Sequence, residues 1–290
     1  MLDQSGSMTE TVAGGGTKWS AVTGALDSFL VQPNLTGFSV GLQYFGLPTG
    51  GGLTDSCTAS DYATAAVEIA ALPGAASALM TSIAAHSPTS GTPTSAALQG
   101  AIMHASAWAT SHPGHVTAVV LATDGDPAEC NTNLTSIDAI AAAGLAATPK
   151  IATFVIGVGA SLSNLNGIAA AGGTTSAFIV NTNSNVTQQF LAAMNAIRNS
   201  ASCSYQIPLP TSGAPNYQQV NVVFTPNGGS ATTIPNVGTK AMCPASGDGW
   251  YYDDPNAPTA ILLCASTCGT IQANTSGTVD IALGCSTVIP

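Results

Sequence analysis

Residues 116–125 read Val-Thr-Ala-Val-Val-Leu-Ala-Thr-Asp-Gly, and the fold turns on the first seven. Val116 to Ala122 is a nearly continuous apolar run bounded by turn residues. A strand with one wet face alternates apolar and polar residues. An unbroken run predicts a strand buried on both faces, as in a parallel sheet with helices above and below. Ile151 to Val158 is a second such run, and Ser136 to Leu145 between them has helical character. Working outward, Lys18 to Val31 repeats Trp19, Val22, Leu26 and Phe29 at helical spacing, and Pro33 stops it. Ala75 to Ala85, Thr94 to Ser111 and Val186 to Ala201 are further predicted helices. Phe38 to Phe45 alternates as a strand, Ala66 to Leu72 reads as an edge strand, and Ala177 to Val180 as a short final one. Strands alternating with helices predict an α/β fold with a doubly wound, mostly parallel sheet. Ligands of such sheets sit at the carboxyl ends of the strands.

The pattern changes at Cys203. Pro208, Pro210 and Pro215 punctuate the chain, and Val220 to Phe224, Thr259 to Leu263 and Val279 to Leu283 read as strands. No helix is expected after Ser202. Two domains follow: residues 1–201, and a small Cys-rich β module at 202–290.

Composition narrows the function. Charged residues make up 6% of the 290, against a usual ~25%. The basic residues are Lys18, Lys150, Arg198 and Lys240, and the formal net charge is −10. Nucleic-acid binding needs clustered cations, which this chain lacks, and an anionic membrane surface would repel it. No apolar stretch reaches the ~18–20 residues of a membrane helix. A surface of Ser, Thr, Asn, Gln and Gly, together with seven cysteines, fits a secreted or cell-surface protein. Cys57 and Cys130 lie in the first 200 residues; Cys203, Cys243, Cys264, Cys268 and Cys285 lie in the last 90. The odd count leaves at least one thiol without an intrachain partner.

Three segments carry oxygen chemistry. Asp3-Gln4-Ser5-Gly6-Ser7 is a D-x-S-x-S loop; Gly91-Thr92-Pro93-Thr94 precedes a predicted helix; Thr123-Asp124-Gly125 follows the buried strand. Asp3, Ser5, Ser7, Thr92 and Asp124 together offer two carboxylates and three hydroxyls, a set suited to a hard divalent cation. The plainer reading makes Asp3 to Ser7 a polar turn, Thr92 a helix N-terminal residue and Asp124 a loop cap.

In this order the segments resemble the von Willebrand factor A domain of the bacterial secreted type, with its metal-ion-dependent adhesion site, over residues 1 to about 200. The resemblance implies that Ser5 and Ser7 bind Mg²⁺ (or Ca²⁺ or Mn²⁺) directly. Thr92 would join when a ligand is engaged, and Asp3 and Asp124 would act directly or through water. It implies a protein partner whose Glu or Asp carboxylate completes the coordination, and an adhesion role rather than an enzyme. Gly6 and Gly125 are expected to allow tight curvature. Ser90 stands where the family commonly has Gly, and Pro93 stiffens the loop. The family's first strand extends upstream of the Asp, so the start Met1-Leu2-Asp3 is expected to reflect a fragment or a mis-called start, with an export signal upstream. In the family's strand order, 3-2-1-4-5-6, the loops bearing Cys57 and Cys130 share the metal-bearing edge, which implies a disulfide between them.

Asp126 and Glu129 either widen an acidic rim, favouring Ca²⁺, or are solvated loop acids. In the β module a Cys203–Cys285 staple is expected, with Cys243 paired to Cys264 or Cys268; the Cys264/Cys268 spacing also admits zinc. His86, His104, His112 and His115 read as surface or helix-end residues. Gly37-Phe38-Ser39-Val40-Gly41 matches a hydrolase elbow in letters only, because Ser39 falls inside a strand. Asp253 and Asp254 beside Trp250, Tyr251 and Tyr252 suggest either a carbohydrate face or an exposed turn. Two alternatives to adhesion follow: a self-associating structural subunit of a surface appendage or filament, and a secreted hydrolase or glycan-binding protein.

Overall fold

The computed structural model of the chain describes residues 1–33, 35, 37–49, 54–89, 91–112, 115–201, 203–207, 216–226, 228–274 and 278–289. Ser90, Ser202, Pro208, Pro210 and Pro215, named above, lie outside them. Two compact units form: the described residues of 1–112 and 117–197, and those of 113–116 and 198–290.

The first unit is mixed α/β, built on a five-stranded sheet. Its order is Tyr44–Phe45, Leu2–Asp3, Ala118–Thr123, Ala152–Val158 and Phe178–Val180, with every neighbouring pair parallel. The apolar run at 116–122 supplies the middle strand, and its residues serve two layers. Val119 and Val155 pack with Leu98, Ile137 and Ile168, whereas Ala122, Ile156 and Val158 pack with Val22, Ala25 and Phe190. Successive strand side chains point to opposite faces, so a strand covered on both sides must be apolar throughout. The helices Lys18–Leu30 and Val186–Ala201 cover one face, and Thr94–Ser111, Leu134–Ala146 and Asn166–Ala171 cover the other.

The predicted 38–45 strand is divided. Ser39–Leu42 pairs antiparallel with Val67–Ala71, outside the five-stranded sheet, while Tyr44–Phe45 runs parallel to Leu2–Asp3. The break is at Gln43, whose side-chain oxygen accepts the Tyr44 N–H at 2.9 Å. The edge strand expected at 66–72 therefore leaves the parallel sheet, and the 3-2-1-4-5-6 order is not reproduced within it.

The second unit has a four-stranded sheet (Ser204–Gln206, Ala260–Leu263, Trp250–Tyr252, Asn236–Gly238) and a three-stranded one (Thr232–Ile234, Val220–Thr225, Thr278–Leu283). Val220, Val222, Ile234, Trp250, Ile261 and Leu263 form its core. Contrary to expectation, this unit contains a helix, Ala265–Ala273. The Cys264/Cys268 spacing is one turn of that helix: the Cys268 N–H donates to the Cys264 carbonyl at 2.8 Å. Both sulfurs are taken by disulfides, Cys243–Cys264 and Cys203–Cys268, so neither is a zinc ligand.

The expected Cys203–Cys285 staple is corrected by the same geometry. Cys203 immediately precedes the strand paired with Ala260–Leu263, and Cys268 lies one turn beyond that strand. Cys285 follows Thr278–Leu283 in the other sheet and is free and exposed. In the first unit Cys57 is joined to Cys130, with Cα atoms 5.5 Å apart.

Candidate metal centre

Asp3 ends one strand and Asp124 follows the next, Leu2 being in register with Ala122. From this pair the sheet extends one way to Tyr44–Phe45 and the other way to Ala152–Val158. Loops leaving such a pair at the carboxyl ends diverge and open a crevice.

The D-x-S-x-S loop folds back immediately. The Ser5 N–H donates to Asp3 Oδ1 at 2.7 Å, and a single 3₁₀ turn, Gly6–Thr9, buries Met8 beneath it. Thr123 Oγ1 donates to Asp3 Oδ2 at 2.6 Å. The hydroxyls of Ser5 and Ser7 lie 3.0 Å apart, and Ser7 Oγ donates to Asp124 Oδ1 at 2.8 Å. Ser5 Oγ is 3.4 Å from the same oxygen. Asp3, Ser5, Ser7 and Asp124 are thus brought together, and Asp3, Ser5 and Asp124 are buried.

Thr92 is buried nearby, but its hydroxyl is not hydrogen-bonded into this cluster; its carbonyl accepts the N–H groups of Thr94, Ala128 and Glu129. The Thr89 N–H donates to the Gln4 carbonyl at 2.9 Å, tying the loop that leads to Thr92 to the Asp3 loop. At Gly91 a Cβ would meet only the Glu129 carboxylate, the far end of a side chain that can shift. Gly6 and Gly125, expected to allow tight curvature, do so without positive φ, Gly6 opening the 3₁₀ turn.

Two participants were missed from sequence. Lys18 Nζ lies 2.9 Å from Asp124 Oδ2 and 2.6 Å from Glu10 Oε2. Its side chain is 9% exposed and that of Asp124 is 0%. The Thr17–Ser20 capping box starts the helix at Lys18 and sets its direction. A signal was available. A cation in a helix's first turn opposes the helix dipole, so in so charge-poor a chain it calls for an anionic partner. The second is Asp55, whose Oδ2 accepts the Gly91 N–H at 2.6 Å.

Electrostatics follow from burial. Desolvation pushes the Asp3 carboxyl up to about 6, against the hydrogen bonds from Thr123 and Ser5, while the Asp124 charge adds to the rise. Burial alone would lower the Lys18 ammonium, but its bonds to Glu10 and Asp124 outweigh that and hold it above its usual value. Burial, then the Asp55 carboxylate, raises Glu129. Asp126 is exposed and accepts from Asn164 Nδ2.

The donor chemistry suits a hard cation, since every side-chain donor is oxygen. Among the described residues no three or more His, Cys, Asp or Glu side chains group to hold a metal ion, so a cation here depends on the Ser5 and Ser7 hydroxyls.

The other candidates lie elsewhere. Ser39 begins a strand rather than a strand-to-helix turn. His86 stacks on Tyr44 at 3.7 Å, His104 Nδ1 lies 2.9 Å from the Ala63 carbonyl oxygen, and His112 stacks on Trp108. Trp250 is fully buried with Nε1–H donating to Ile234, so it belongs to the core and not to a sugar-stacking surface. Asp253 caps the turn leading to Thr259 and Ala260. No protein-family model matches this chain, and no curated protein is significantly similar to it.

Proposed function

We propose that the first unit is a metal-dependent protein-binding module of the von Willebrand factor A type. Asp3, Ser5, Ser7 and Asp124 hold a divalent cation, expected to be Mg²⁺ with Ca²⁺ or Mn²⁺ as substitutes. Thr92 joins when a partner is engaged. The carrying observation is the contact of Ser5 and Ser7 with Asp124, which are 119 and 117 residues apart in sequence. The doubly wound reading of the fold is supported by the parallel order about the Leu2–Asp3 and Ala118–Thr123 strands. When bound, the cation supplies an open coordination position that an acidic side chain of a partner fills. Asp3, Ser5 and Asp124, all buried, would orient that position. The three disulfides suit a secreted or cell-surface setting. Among the described residues no helix is long and apolar enough to cross a membrane.

Titration with Mg²⁺, Mn²⁺ or Ca²⁺ is expected to raise the melting temperature, by the equivalent of about 2.7 kcal/mol at a hundredfold excess over the dissociation constant. No shift in the natural chain, or an equal shift in an Asp3→Ala, Asp124→Ala double variant, removes the metal from the proposal.

The exposed Cys285 favours one second reading, a disulfide-linked structural subunit. Under the binding-module proposal the solution mass is expected to be the same with and without reductant, and the same again in Cys285→Ser. A reductant-sensitive oligomer that Cys285→Ser abolishes selects the assembly reading instead.

A further inference from the structure

We infer that Lys18 is a tethered counter-ion of the cation site and sets its affinity, holding Asp124 neutralised until a divalent cation competes for it. The inference rests on the metal-binding proposal above. Asp124 is shared between two surroundings: Oδ1 faces the Ser7 and Ser5 hydroxyls, and Oδ2 faces the Lys18 ammonium. Lys18 is not a loose surface chain. Its backbone N–H donates to the Glu10 carbonyl at 2.9 Å, and the capping box fixes the turn it stands on. No cation pairs with Asp3 among the described residues. The ammonium therefore neutralises one of the two buried carboxylates.

Two consequences follow from charge alone. A fixed positive charge beside a ligand carboxylate repels an incoming dication and draws electron density from the carboxylate. In a buried site that repulsion is much stronger than in water. Removing the ammonium leaves Asp124 buried and uncompensated, a costly state that a dication relieves. Glu10 works in the opposite sense. Its side chain is 64% exposed, yet it binds the same ammonium and offsets part of its field. Lys18 thus lowers the cation affinity of the site, and Glu10 restores part of it.

Calorimetric titration of Mn²⁺ into the full chain at pH 7 tests this with three proteins. Lys18→Met is expected to bind about tenfold or more tightly than the natural chain. Glu10→Gln, which leaves the ammonium to act on Asp124 alone, is expected to bind more weakly. Opposite signs from two neighbouring substitutions separate a charge effect from general loosening. Should Lys18→Met not fold without metal, Lys18→Gln keeps a hydrogen bond to Asp124 and carries the same expectation. If the natural chain binds Mn²⁺ but Lys18→Met or Lys18→Gln binds equally or less tightly, or if Glu10→Gln binds more tightly, the role of Lys18 is overturned and the metal proposal stands. If none of the proteins binds Mn²⁺, the metal proposal falls and this inference with it.

Discussion

Replacing Cys57 and Cys130 together by serine is expected to lower the stability of the first unit by about 4 kcal/mol. The bridge spans 73 residues. Releasing so long a loop restores conformational freedom to the unfolded chain, and the chain-entropy model puts that contribution at about 4 kcal/mol near room temperature. The Cα separation of 5.5 Å lies in the ordinary range, so the native backbone needs no distortion to hold the bridge. The parallel sheet and its two apolar layers do not involve either sulfur, so the variant is expected to keep its fold and lose only margin. Denaturant unfolding with linear extrapolation reads the difference. A midpoint unchanged from that of the natural chain rules out the expected contribution. The cation site is expected to weaken as well. Asp55, two residues before Cys57, holds the Gly91 N–H. Ala128 and Glu129, just before Cys130, donate to the Thr92 carbonyl. Cutting the bridge frees both supports behind Thr92, whereas Cys285→Ser touches neither and is the matched control.

How much of this was legible depended on whether the information was local. The buried run at 116–122 announced a strand covered on both faces because burial on both faces leaves no polar position. Helices with apolar residues at three- and four-residue spacing declared themselves in the same way, and their observed bounds differ by at most two residues. The Asp3, Ser5, Ser7 and Asp124 side chains were legible as a set only through the resemblance of their segments to one known site, since nothing local joins Ser7 to an Asp124 that is 117 residues away. Lys18 was legible only in part. Its place in a helix's first turn calls for an anionic partner, but nothing local says that the partner is a carboxylate 106 positions away, 2.9 Å from it. The second unit was read less well for the same reason. The Ala265–Ala273 helix has little amphipathic pattern, its sequence being Ala-Ser-Thr-Cys-Gly-Thr-Ile-Gln-Ala. Cysteine connectivity likewise follows which sheet each strand joins, and sheet membership is a long-range property. Trp250, placed beside two tyrosines and two aspartates, looked like a surface platform; only the register against Leu263 shows that it points into the core.

The Asp3 carboxyl is expected to add stability to the metal-free protein as the pH falls from 7 toward 4. Burial raises this carboxyl from 3.8 to about 6, despite the Thr123 and Ser5 hydrogen bonds. Between those values the folded protein keeps a proton that the unfolded chain has released. Stability therefore falls as the pH rises through this window. The contribution is fully present below about 4 and lost above about 6, and its size is on the order of 3 kcal/mol. Asp27, Asp138 and Glu129 are also raised, each chiefly by burial, whereas burial lowers the Met1 amino group to about 5 and so costs stability as the pH falls through the same window; the total slope is not that of Asp3 alone. Asp3→Asn isolates its share. Asparagine offers one acceptor oxygen where the carboxylate accepts at both, so absolute stability will change, but the variant should lose the gain toward pH 4 that the Asp3 carboxyl supplies. Saturating Mg²⁺ should act in the opposite direction, because a cation favours the ionised carboxylate and its binding releases a proton. With metal present, acidification is therefore expected to cost stability, and the two unfolding curves should converge toward pH 4. Identical slopes for the natural chain and Asp3→Asn would show that Asp3 is not held protonated by its burial. A slope that depends on Asp3 but ignores Mg²⁺ would leave a buried titrating acid with no cation to serve, and the oxygen cluster would then be a structural knot built around Lys18.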